Sequence, residues 1–244
     1  MFKKKSPKTC NYLKLYLNIG KDEYSEKEKE QLVNSFIPTL EEIFPSINLK
    51  YDIGGHGYGI SKGDGYFGIK ALRSKFEKKG YDNMYSVTCS ALENKIQAGM
   101  LFLPARKSNF ISFHIVAPFE QCVNEKLIET VLRNYNQICS VDYGYGYEVG
   151  KGFVGSVENY EKKGLFSTSL SVNPDQFEFE NKLESALAGK IKKIYELNVF
   201  NKQQSELLYS TGLDNFKSID DVDYLILNPQ DLSKVEAKVR NQYI

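Results

Sequence analysis

The chain has 244 residues, about one and a half times an ordinary domain, so it forms one large domain or two small ones with room for a proper core. Hydrophobic residues at 41% and charged residues at 26% exclude global disorder, collagen-like repeats and coiled-coil composition. Basic and acidic residues number 32 and 31, and that balance gives no overall field to draw the protein to nucleic acid or a membrane surface.

The N-terminus opens with Lys3-Lys4-Lys5, and residues 1–9 read as a flexible basic tail. The next segment, Tyr12 to Ile19, alternates. Leu13, Leu15, Leu17 and Ile19 share one face, which predicts a half-buried strand. Lys14 and Asn18 interrupt it where a secretory signal would need an unbroken apolar run, so a cytosolic location is expected. Ser25 and Glu28 form a capping box ahead of Leu32, Val33, Phe36, Ile37, Leu40 and Ile43, an amphipathic helix with Pro38 inside it and Pro45 at its end. A short strand, Ile47–Ile53, leads into a glycine-rich tract from Gly54 to Gly68. A helix from Ile69 to Lys78 follows, stopped by Gly80.

Three strands come next, Met84–Leu92, Ile96–Pro104 and Asn109–Ala117, joined by turns short enough for an antiparallel meander. Asn124 caps a second amphipathic helix that carries Leu127, Ile128, Val131, Leu132, Tyr135 and Ile138. A strand from Val141 enters a second glycine tract, Gly144–Gly155. Glu161 to Gly164 reads as a polar turn before a strand at Leu165–Val172. Asn173-Pro174 and Asn228-Pro229 are helix starts, with Pro placed where its missing N–H has no partner to lose. Between them lie a strand at Lys193–Phe200, a helix at Lys202–Thr211 closed by Gly212, and an edge strand at Val222–Leu227. The pattern predicts an α+β fold, mainly antiparallel, with amphipathic helices packed on one face and the sheet divisible into two similar sub-sheets. Residues 1–244 read as one compound unit with a soft boundary near 156–165.

Chemistry-bearing residues are sparse. His56 and His114 are the two histidines, and neither sits in a metal-ligand spacing. Cys10, Cys89, Cys122 and Cys139 form no C-x-x-C pair and read as buried thiols. An enzyme would rest on Cys89 or Cys139 with His114 or His56, as a hydrolase or transferase, and Cys89 with His114 on adjacent strands is its best version. Of the 18 glycines, 12 fall in the two tracts, and each tract contains one G-x-G-x-x-G, at Gly63–Gly68 and Gly150–Gly155; but G-x-x-x-x-G-K-[ST] is absent and no acidic residue at the end of a second strand completes a dinucleotide unit, so no nucleotide or other cofactor is expected. Tyr143-Gly144-Tyr145-Gly146-Tyr147 puts three Tyr on one strand face and two Gly on the other. It is either a packing device or a rigid contact surface. Asp220, Asp221 and Asp223 lack the calcium-loop pattern and read as a solvated turn or as an acidic patch for a basic partner.

The order of features in the second half resembles a known family. A Tyr-Gly strand (Tyr143–Tyr147) precedes a polar segment ending Tyr160-Glu161-Lys162-Lys163-Gly164. Then come Ile194-Tyr195-Glu196-Leu197-Asn198-Val199, a helix with Leu207-Leu208, and a terminal strand and helix. This arrangement, over roughly residues 140–244, is similar to the immunity proteins of bacterial polymorphic toxins, particularly those paired with type VI secretion effectors. The resemblance implies a non-enzymatic α+β protein that binds one cognate toxin in the cytosol, with no nucleic-acid, membrane or small-molecule partner. It carries over no functional residue, because such contact surfaces diverge with the toxin. The contact candidates are therefore the tyrosines of the glycine tracts (Tyr58, Tyr66, Tyr143, Tyr145 and Tyr147) together with Asp220, Asp221 and Asp223.

Overall fold

The structure is a computed structural model that describes residues 8–18, 20, 24–58, 67–102, 110–118, 125–150, 152–156, 158–163, 168–170, 176, 178–179, 182 and 189–243. The basic tail up to residue 7, Tyr66, Cys122, Asn124 and the Asn173-Pro174 helix start lie outside these residues.

The first strand, β1 (Lys8–Asn18), is followed by α1 (Glu26–Ile43), β2 (Lys50–Gly55) and α2 (Ile69–Lys79). The expected capping box begins α1. Ser25 Oγ accepts the Glu28 N–H at 3.3 Å, and the Glu28 carboxylate accepts the Ser25 N–H at 2.9 Å. Gly80, at φ 68, closes α2 in the left-handed region that glycine enters without steric cost. The meander is β3 (Met84–Ala91), β4 (Ile96–Phe102) and β5 (Phe110–Pro118). After it come α3 (Glu125–Asn136) and β6 (Ser140–Gly150), then a small sheet of β7 (Phe153–Val154), β8 (Asn159–Lys163) and β9 (Thr168–Leu170). The chain continues with β10 (Leu197–Phe200), α4 (Lys202–Tyr209), β11 (Lys217–Ile219), β12 (Val222–Ile226) and α5 (Pro229–Val239). No helix among the described residues is long and apolar enough to cross a membrane.

Nine strands form the main sheet in the order β11-β12-β10-β6-β1-β5-β4-β3-β2, with every neighbouring pair antiparallel. The fold is α+β, as the sequence pattern requires. One face carries Leu13, Leu15, Leu17, Ile111, Phe113 and Ile115 under the apolar stripes of α1, α2 and α3. The expectation that helices share a single face holds for these three. Val235 and Val239 of α5 and Leu208 of α4 instead belong to the core on the opposite face, the one that holds Tyr12, Tyr16, Tyr143 and Tyr145. Strand β1 is consequently buried on both faces, not half-buried, because residues after Gly150 cover the side that its alternation left to Lys14.

Three further expectations are corrected. Glu161–Lys163 belong to β8 and pair with β9, so the polar residues there form a ladder and not a turn. Strand β10 begins at Leu197, and the preceding Lys193–Glu196 has no strand pairing. The edge of the sheet is β11, three residues that carry no alternating apolar signal, and this places β12 one strand inside.

The glycines of β6 show why Tyr and Gly alternate there. A Cβ on Gly144 would lie 2.3 Å from Leu15 Cδ2, 3.0 Å from the Lys14 carbonyl oxygen and 3.1 Å from Val199 Cβ. Neighbouring strands thus close over a missing side chain while the tyrosines fill the other face. Gly144→Val is expected to lower stability by about 1–3 kcal/mol through overpacking, read as a lower urea midpoint at unchanged slope.

Candidate functional site

Lys14 sits at the centre of β1, the middle strand of the sheet, and is 1% exposed. Register sets it between Tyr145 on β6 and His114 on β5, with Tyr12 opposite Tyr147 and Tyr16 opposite Tyr143. Its ammonium lies 3.3 Å from Glu158 Oε1, and the Lys192 ammonium lies 3.4 Å from Glu158 Oε2. Two cations thus share one buried carboxylate. The Tyr145 hydroxyl donates to Glu158 Oε1 at 2.5 Å and the Tyr147 hydroxyl donates to Oε2 at 3.2 Å. Lys192 also donates to Gln176 Oε1 at 2.5 Å, and Gln176 Nε2 donates to the Tyr16 hydroxyl at 2.8 Å.

Burial alone would push the Glu158 carboxyl up. The ammoniums of Lys14 and Lys192 and the Tyr145 hydroxyl outweigh it and hold the carboxyl below its ordinary range. Lys192 is shifted down, first by burial, because it meets one carboxylate but also the like charge of Lys14. Glu158 holds this position at φ 48, a left-handed conformation rare for a residue with a Cβ, which its contacts must impose. It descends from the turn before β8, so the small sheet is tied to the main one by charge. Tyr12 adds a second tie by donating to the Gly155 carbonyl at 2.9 Å.

Over this cluster opens a cleft of about 530 Å³. Its floor is Glu158 and Lys192. The Tyr195 ring stacks on Tyr145 at 4.5 Å and on Tyr147 at 5.3 Å, and Tyr147, Tyr195 and Phe179 form the wall. Its rim carries Glu148, Glu178, Glu196 and Glu236 with Lys8 and Lys193, and Lys182 pairs with Glu178 at 2.6 Å. Lys8 reaches Glu148 at 3.5 Å and Glu196 at 3.9 Å. A second hollow of about 580 Å³, beside His56 and Tyr85, is walled by Met84, Leu101 and Phe102.

The sequence candidates divide. Tyr143 and Tyr145 are fully buried, and Tyr58 is buried with its hydroxyl donating to the Gly80 carbonyl. These three pack the interior and offer no contact surface, because both faces of the sheet are covered. Tyr147 reaches the cleft wall. Asp220 and Asp221 are exposed on the β11–β12 turn, while Asp223 is half-buried and accepts the Ser218 hydroxyl.

The Cys89–His114 pair fails by strand parity. Cys89 opposes Ala98, and Ala98 opposes Ile115, all on the α1–α3 face. His114 opposes Gly99 and Lys14 and points the other way. Burial pushes the Cys89 and Cys139 thiols up to about 12 each, away from nucleophilic thiolate. Burial, with Lys14 beside it, pushes His114 down to about 3. Its ring is wedged between glycines: a Cβ on Gly99 would lie 2.5 Å from it, and one on Gly155 would lie 2.9 Å away. Among the described residues no group of three His, Cys, Asp or Glu is placed to hold a metal.

Lys14, Glu158, Gln176 and Lys192 escape a reading by spacing, since they are up to 178 positions apart in the chain. The signal present was the polar face of β1, which reads Tyr-x-Lys-x-Tyr and so offers aromatics where a solvated face would offer charges. No protein-family model matches this chain, and no curated protein matches it significantly.

Removing Glu158 strands two buried ammoniums, whereas removing Lys14 leaves Glu158 paired with Lys192. Glu158→Gln is therefore expected to cost about 3–5 kcal/mol and Lys14→Met distinctly less, measured by urea denaturation. His114 gives a separate acid limb. Its folded value of about 3 lies below the ordinary 6.5, so its contribution is complete above pH 6.5 and is lost as pH falls towards 3. Between pH 6.5 and 4.5, before most carboxyls titrate, wild-type stability should fall with pH, and His114→Asn should flatten that fall.

Proposed function

We propose that this chain is a cytosolic immunity protein that binds a cognate secreted toxin and neutralises it by direct contact, without catalysis. The observation that carries this reading is where the cleft comes from. Apart from Lys8, its lining runs from Tyr147 to Glu236, inside the stretch of residues 140–244 that resembles such proteins. The reading is also supported by the fate of the reactive groups. The thiols of Cys89 and Cys139 are deactivated by burial, His114 faces away from Cys89, and Lys192 is already engaged with Glu158 and Gln176. Charged side chains stand open at the cleft rim and the Asp220-Asp221 turn, and a neutral overall charge favours a protein partner over nucleic acid.

The test is to co-express this chain with the product of the gene beside its own. A stoichiometric complex through affinity purification and size exclusion is expected, together with survival of cells that the neighbouring product alone would kill. Absence of both complex and rescue overturns the reading.

A further inference from the structure

We draw no further inference here: the strongest candidate, the hollow of about 580 Å³ beside His56 and Tyr85 at the ends of β3 and β4, is walled by Met84, Leu101 and Phe102, and nothing among the described residues shows what covers it.

Discussion

A lysine ammonium at the centre of a nine-stranded sheet has to be compensated, and much of this architecture follows from how Lys14 is compensated. An ion stripped of water costs several kcal/mol unless an opposite charge and hydrogen bonds replace its hydration. No carboxylate on the flanking strands faces it: its neighbours are Tyr145 and His114. The charge comes from Glu158, lowered from the turn ahead of β8, and Glu158 in turn draws Lys192 from the segment before β10. The segments after β6 are thus tied to the N-terminal strand by a network with few alternative arrangements. Hydrophobic packing by Tyr12, Phe153 and Val235 fixes how much surface is buried there. The charges fix which register buries it, since a slip of one residue would turn Lys14 into the aliphatic face.

The same network explains the tyrosines. Burial raises the pKa of Tyr12, Tyr145 and Tyr147, so they stay protonated and serve as donors to oxygen acceptors, which is what a buried carboxylate needs once water has gone. Their rings meanwhile supply the apolar surface of the second core. Tyr performs both tasks at one position, and Gly on the alternate positions lets β1 and β10 close over the other face. A strand of alternating Tyr and Gly is in this chain an interior element that resembles a contact surface by composition alone.

What the sequence disclosed follows from the range of each signal. Elements set by neighbours a few positions apart were legible: the Ser25–Glu28 cap, the stripes of α1 and α3, the Gly80 stop and the meander of β3 to β5. So was the spacing of Tyr from Gly in β6. Elements set by distant partners were not. Nothing near Lys14 in sequence announces Glu158 or Lys192, and β11 has too few residues to show a period. The error over Tyr143 and Tyr145 came from assuming that a polar strand face meets solvent. Whether that face is covered depends on Glu158, Gln176, Phe179 and Tyr195, which come from segments after β6 that no local pattern ties to it.

Burying the strongest charges in mutual contact has a consequence for the surface. The Lys192 ammonium is engaged by Glu158, Gln176 and Tyr145, so the floor of the cleft has little left to offer an incoming group. Its contribution is rigidity and a fixed positive potential below the opening. The rim is different. Glu148 and Glu196 stand partly in water, and the lysine between them is held by longer contacts at the very start of a strand. The cleft thus has a fixed floor beneath a more exposed rim. Under the proposed toxin-binding reading, such a division would let rim charges change with the partner while Lys14 and Glu158 keep the fold.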